Sequence, residues 1–390
     1  MSNDLPVGWR EAQIGDVARI VTGKTPSTKE PRYWGGDIPF VTPSDITDSP
    51  WLRHVERHVS NDGMKYSSLV PAGSVLFACI GSIGKSCITH EVSTFNQQIN
   101  ACVPSEQVDA YFLYNALQVR VGDILDLAGT TAVPIINKTT FSKVSISLPP
   151  LDEQRRIVEV LRSVDEAIAA NEAVAVQSGR AFRAALAQLI GNAPANWETV
   201  KLAQIADLTL GKMLDKEKNK GELRPYLANI NVRWGAFDMA DLRHMRFEER
   251  ELERYGLRCG DIVMCEGGEP GRCALWIDES SDMMIQKALH RIRPQEGVDS
   301  YYLYYALVNG VRSGAYDEYM TGSGIQHLPG NQLAKVEVSL PPFREQQRIA
   351  EALRVFEQAA MARLNALKQA LQIKSTLMSD LLSGRVLVPE

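Results

Sequence analysis

The chain has 390 residues, 45% of them hydrophobic, enough for two globular domains and their connections. No run of about 18 apolar residues occurs, and the first residues lack the basic and apolar regions of a secretory signal, so neither a membrane nor export is expected. A net charge of −5 and a pI near 5.8 weigh against a protein that coats nucleic acid indiscriminately, but leave room for a local basic face.

Residues 5–23 alternate apolar and polar side chains after Trp9 and end in Gly23-Lys24; residues 197–212 repeat this from Trp197 to Gly211-Lys212. The following segments differ. Residues 24–68 are rich in Pro, Gly, Ser, Thr and aromatics, whereas 212–258 are dense in Lys and Arg. The repeats then converge on Gly73-Ser74-Val75-Leu76-Phe77 and Gly260-Asp261-Ile262-Val263-Met264, each a buried-strand pattern after a glycine turn. Gly84-Lys85 matches Gly271-Arg272, and Val108-Asp109 matches Val298-Asp299, each aspartate placed to cap a helix. Gly129-Thr130-Thr131 and Gly322-Ser323-Gly324 read as turns before a final strand. Cys79, Cys87, Cys102, Cys259, Cys265 and Cys273 sit in apolar stretches without zinc-ligand spacing, the pattern of buried thiols in a reduced cytoplasmic protein.

Each half closes on one motif. Leu148-Pro149-Pro150-Leu151-Asp152-Glu153-Gln154 is followed 192 residues later by Leu340-Pro341-Pro342-Phe343-Arg344-Glu345-Gln346, and each opens a long helical pattern. In the first, Ile157, Leu161, Val164, Ile168, Asn171, Ala175, Ser178, Phe182, Ala185 and Leu189 step by four and three, the period of a coiled-coil seam. Small and polar Asn171, Ala175 and Ser178 would admit a close partner and pin its register. The second gives Ile349, Leu353, Phe356, Ala360, Leu364, Leu367, Leu371, Lys374, Met378 and Leu381, with a stutter near Ala360. Each helix would be roughly 55–60 Å long. The economical partner for each is the other, packed antiparallel; the alternative is that each packs on its own domain.

Catalytic signatures are missing. Gly81-Ser82-Ile83-Gly84-Lys85-Ser86 lacks the spacing of a phosphate loop and reads as a turn between strands; His54-Val55-Glu56-Arg57-His58 lacks the glutamate of a zinc-protease helix and reads as a solvated face. No Gly-x-Ser-x-Gly elbow and no Asp/Asn-Pro-Pro-Tyr/Phe tetrapeptide occurs, and no metal site is indicated. Nucleic-acid binding has diffuse support from the two divergent segments, where basic, amide and hydroxyl groups suited to phosphates and base edges concentrate. The candidates are Lys24, Ser27, Lys29, Arg32, Tyr33, Thr42, Ser44 and Lys85 in the first half. In the second they are Lys212, Lys216, Lys218, Lys220, Arg224, Tyr226, Asn229, Asn231 and Arg233. Trp34 and Trp234 read as core.

Over nearly its full length the chain resembles the specificity (S) subunit of Type I restriction–modification systems. The carriers are Leu5-Pro6-Val7-Gly8-Trp9, Gly35-Gly36-Asp37-Ile38-Pro39-Phe40-Val41-Thr42-Pro43-Ser44-Asp45-Ile46, and the two Leu-Pro-Pro-x-x-Glu-Gln motifs. In the second half, Gly211-Lys212-Met213-Leu214-Asp215-Lys216, Pro225-Tyr226-Leu227 and Asn231-Val232-Arg233-Trp234 look like another recognition type of that family. One departure is Pro194-Ala195-Asn196 before Trp197, which blurs where the second domain starts.

The resemblance implies an α+β fold of two pseudo-symmetric target-recognition domains, each followed by a long helix, the helices packing as an antiparallel coiled coil. The expected division is 1–150 and 192–342 for the recognition domains, 151–191 and 343–384 for the spacer helices, and 385–390 for a tail. Ile157, Leu161, Val164, Ile168, Phe182, Leu189, Ile349, Leu353, Phe356, Leu364, Leu367 and Leu371 are then candidate coiled-coil and subunit contacts. The implied partners are double-stranded DNA with a bipartite site, two modification (methyltransferase) subunits, and restriction (translocase/endonuclease) subunits. No cofactor is expected on this chain; S-adenosylmethionine is expected on the partner methyltransferase, which would methylate adenine at N6. The alternatives are a methylation-only system, an enzyme in its own right, and a coiled-coil adaptor that binds only protein.

Overall fold

The computed structural model describes residues 5–128, 133–215, 219–279, 282–322, 324 and 326–389. The chain forms two compact units, Met1–Asn171 with Ala366–Glu390, and Glu172–Asn365. This division is discontinuous: the last turns of the second long helix and the residues after it belong with the first unit. Turns expected at Gly129-Thr130-Thr131 and Ser323 lie outside the described residues.

In the first unit an antiparallel sheet takes the order Ala18–Thr22, Ile99–Pro104, Val75–Ala78, Ser86–Ile88. Val75–Ala78 is apolar throughout because both its faces are buried. A second sheet takes the order His58–Val59, Trp34–Val41, Ser93–Phe95, Leu69–Val70, with Trp34–Val41 and Ser93–Phe95 parallel. Arg10–Gln13 pairs with Ser145–Leu148, which runs into the Pro149-Pro150 turn and the long helix Leu151–Leu186. The second unit repeats the plan. Its sheets are Ala206–Leu210, Leu289–Pro294, Ile262–Cys265, Cys273–Leu275 and Arg243–Phe247, Glu222–Leu227, Met284–Ile285. Glu198–Lys201 pairs with Glu337–Leu340 ahead of the long helix Phe343–Ser383.

The repeated short signals have definite causes. Asp109 caps Ala110–Val119 through the N–H groups of Tyr111 and Phe112, and Asp299 caps Ser300–Arg312 through that of Tyr302. Gly23 and Gly211 lie against a backbone: a Cβ would stand 2.0 Å from the Asn96 carbonyl oxygen and 2.4 Å from that of Gln286. In the Pro-Pro motifs the glutamine is the anchor. Gln154 is fully buried, accepts from the Asp109 N–H at 2.9 Å and donates to the carbonyls of Gln107 and Pro149. Gln346 does the same with Asp299, Gly297 and Pro341. Each staples its long helix to the loop that starts the domain's own helix.

Within the first unit the long helices pack antiparallel: Ile157, Val158 and Leu161 share a core with Leu377, Met378, Leu381 and Leu382, and Asp165 pairs with Lys374 at 2.5 Å. Val388 joins that core. In the second unit Phe182, Leu186 and Ile190 share a core with Ile349, Ala350 and Leu353. A π-helical turn, Ala187–Gly191, ends the first long helix.

The first seam is the less exposed stripe of its helix: Ile157, Leu161 and Phe182 are buried, and Val164, Ile168 and Leu189 half-buried. Asn171 turns its amide onto the Ala167 carbonyl of its own helix, so this donor is not spent on a partner. The second seam departs from expectation. Ile349 and Leu353 are buried and Leu367 half-buried, but Phe356, Leu364 and Leu371 are exposed. Glu357 replaces Phe356 on the packed side because two tyrosine hydroxyls donate to it. Among the cysteines, Cys259 is exposed, contrary to expectation, and the other five are buried free thiols. The His54–His58 stretch is not helical. No helix of the described residues is long and apolar enough to cross a membrane.

Candidate nucleic-acid interface

The structure sorts the sequence candidates into exposed and structural groups. Lys24, Ser27, Lys29, Arg32, Ser44 and Lys85 are exposed in the first unit, as are Lys220 and Arg233 in the second. Arg32 lies 3.4 Å from Glu30, and Arg233 lies 3.2 Å from Asp238; at surface sites such pairs exchange readily for a phosphate. Lys216 and Lys218 lie outside the described residues.

Several candidates are corrected. Tyr33 is buried against Tyr66, with ring centroids 4.7 Å apart. Thr42 spends its hydroxyl and its N–H on Asp45, both at 2.7 Å. Lys212 is buried; its ammonium pairs with Glu251 at 2.5 Å, donates to the Arg246 carbonyl at 2.9 Å and lies 4.9 Å from the Phe247 ring centroid. Burial alone would raise the Glu251 carboxyl's pKa, but the bond and charge of Lys212 outweigh it and hold it below the usual range. Arg224 is mostly shielded, between Glu222 and Asp282 at 2.9 Å each. Tyr226 is a core side chain. Asn231, also buried, accepts from the Ala228 N–H and donates to the carbonyls of Asp238 and Asp241. Asn229 accepts from Arg272 and donates to the Gly267 carbonyl. These groups are tied into the segment's own structure.

Other surface groups were not singled out by sequence. Arg57 stacks over Trp34, its guanidinium carbon 3.8 Å from the ring centroid, and Trp34 is half-buried on the surface, not core. Trp234 is likewise half-buried, with its indole N–H on Glu269 at 2.7 Å. On the edge strand Arg243–Phe247, Arg243, His244 and Arg246 are exposed while Met245 and Phe247 face the core. The alternation Arg-His-Met-Arg-Phe is a legible signal for such an edge.

The two unlike segments also share one strand and turn. Phe40 and Val41 pair in parallel with Thr94 and Phe95; Tyr226 and Leu227 do so with Met284 and Ile285. The Asn96 N–H donates to the Val41 carbonyl at 3.0 Å, and that of Gln286 to Leu227 at 3.1 Å. A four-residue turn follows, closed by the fourth side chain: Asp45 accepts from the Thr42 N–H, Asn231 from that of Ala228. The two segments therefore share this strand and turn although they already differ at Lys24 and Lys212. The matched signal is Pro39-Phe40-Val41 against Pro225-Tyr226-Leu227.

Among the described residues no group of three or more His, Cys, Asp or Glu side chains could hold a metal ion. Two copies of one α+β scaffold, each with its own divergent surface segment that exposes some Lys and Arg side chains and each followed by a long helix, make a duplicated architecture. Residues 6–177 and 194–372 each match the family model described as Type I restriction modification DNA specificity domain. The chain therefore belongs to the family of the Type I restriction–modification DNA specificity domain, which it carries twice.

Among its relatives, the MjaVIII specificity subunit of Methanocaldococcus jannaschii is 22% identical over 98% of this chain and 94% of that protein. The MjaIX specificity subunit of the same organism is 31% identical over 42% of this chain and 39% of its own length, a local match of about one repeat. The crystal structure of a Type I restriction–modification S subunit from M. genitalium superposes with a TM-score of 0.60, at 14% identity and 98% coverage of both chains; it shares the fold.

Proposed function

We propose that the two units read the two halves of a bipartite site in double-stranded DNA and that the long helices set the gap between the halves. The observation that carries this is the duplication itself: one scaffold twice, an unlike surface segment with exposed Lys or Arg side chains in each, and an uninterrupted helix of 36 and of 41 residues after them. Exposed lysines and arginines supply the sequence-independent phosphate term, and the unlike segments supply the difference between half-sites.

Pseudo-two-fold repetition within one chain offers two equivalent surfaces, which suits two copies of one partner. Those partners are modification (methyltransferase) subunits that bind S-adenosylmethionine and methylate adenine at N6; restriction (translocase/endonuclease) subunits join them for cleavage. The chain acts in the cytoplasm and holds no cofactor itself.

Inserting or deleting matched helical turns in both long helices should change the gap between methylated half-sites, mapped by sequencing methylated adenines in cells that carry the altered chain. An unchanged gap removes the spacer role. Exchanging residues 24–142 for another recognition domain should change one half-site only; a change in both would show that the units do not read independently.

A further inference from the structure

Beneath each unlike segment the scaffold places one basic side chain at an equivalent position. Lys85 follows Gly84, and Arg272 follows Gly271, two glycines at φ +98° and +84° whose Cβ would press on Val121 and Val311. Both basic residues therefore leave the scaffold hairpin at a fixed point. Arg272 keeps only 16% of its side chain exposed. One terminal nitrogen holds Glu269 at 2.8 Å; the other donates to the Asn229 carbonyl at 3.1 Å and to its Oδ1 at 2.7 Å. Lys85 donates to the Pro43 carbonyl at 3.4 Å. Pro43 and Asn229 are the second residues of the two matched turns, each directly before an exposed residue, Ser44 or Ile230.

We infer that Arg272 and Lys85 are positioning residues for DNA recognition, each clamping the turn that launches its reader segment onto the scaffold. This rests on the reading that each unit recognises one half-site. The segments beyond the turns consist of short strands, loops and a short helix each, so the direction in which they leave the scaffold depends on the turn. A planar guanidinium that binds both oxygens of Asn229 fixes that turn more tightly than one flexible ammonium on one carbonyl. Arg272 is spent on this contact, which separates it from an exposed arginine available to phosphate.

The test uses the complete chain with its modification partner and reads methylated adenines over random flanking DNA. Arg272→Met should relax base selectivity at the half-site read by the second unit by about tenfold and leave the other half-site as in wild type. Asn229→Ala should do the same, and the double variant should be no worse than either alone, because both remove one contact. Arg272→Lys should recover part of the selectivity. Lys85→Met should relax the opposite half-site by a smaller factor; Lys85 is exposed, so this arm stands even if Arg272→Met fails to fold.

A uniform loss of binding across sequences, with the salt slope reduced by about one, would mark a phosphate contact and overturn the inference. Unchanged selectivity in Lys85→Met and Arg272→Lys, or equal relaxation of both half-sites, would also overturn it. If the wild-type chain directs methylation to no bipartite site, the functional reading itself fails; a bipartite site indifferent to these variants fails the clamp alone.

Discussion

The place where each domain helix meets a long helix is filled with rings in the second unit and open in the first. Tyr305 of Ser300–Arg312 packs on Phe182 with ring centroids 6.1 Å apart, and Val308 is buried beside them. In the first unit the corresponding positions carry Asn115, Gln118 and Lys374. They border a cleft of about 830 Å³ with Ser44, Lys85 and Met378, and the buried Asn115 Oδ1 has no hydrogen-bond partner among the described residues. An acid is kept in both. Asp165 accepts from the Tyr111 hydroxyl and pairs with Lys374, while Glu357 accepts from Tyr304 at 2.9 Å and Tyr305 at 2.8 Å. Burial and these acids push all three phenols well above their usual pKa, so they stay donors. The two units share the backbone and one acid met by a tyrosine hydroxyl, but the first carries Asn115 and Lys374 where the second carries Tyr305 and Phe182.

That contrast can be tested from its strongest side. Tyr305→Ala should cost the second unit about 3–5 kcal/mol, as removal of a large buried ring does, whereas Asn115→Leu in the first should be neutral or slightly stabilising because it removes an unpaired oxygen. Hydrogen exchange resolved by unit measures both, and equal losses would dissolve the distinction. Glu357→Ala strands two phenols and should cost about 2–3 kcal/mol by the same readout; Glu357→Gln, which keeps an acceptor, should cost less.

A smaller difference separates the paired lysines that follow Gly23 and Gly211. Glu251's carboxyl is held below its usual range, so its pair with Lys212 stabilises fully above that range, and the contribution is lost as pH falls through the lowered value. Acid unfolding of Glu251→Gln should therefore converge with wild type at low pH, and Lys24→Met should show no such convergence. Least sensitive are the exposed pairs in the first turns of the long helices. Arg155→Ala and Arg348→Ala should each leave thermal melts unchanged within error, alike in both units.

Much of the frame was legible because its signals are local. The Asp109 and Asp299 caps, the Pro-Pro entries to the long helices and the four-three stepping from Ile157 to Phe182 depend on neighbours within a few residues. The candidate interface was legible only in part. Lys212 looked equivalent to Lys24 because each follows a glycine, yet Glu251, 39 residues further on, takes it into the core. Phe356 fitted the heptad count, but Tyr304 and Tyr305 turn Glu357 to the packed side instead. Asn229 and Asn231 have the right groups for base edges, and tertiary contacts consume them.

The sequence by itself determined that the chain is built twice, where each long helix begins, and which two segments differ, since repetition and periodicity are written along the chain. Only the tertiary structure decided which basic and amide groups remain free, that the residues after Ala366 complete the first unit, and that Gln154 and Gln346 are staples. The physical reason is that a polar side chain's role depends on what shares its burial, and those partners come from dozens or hundreds of residues away.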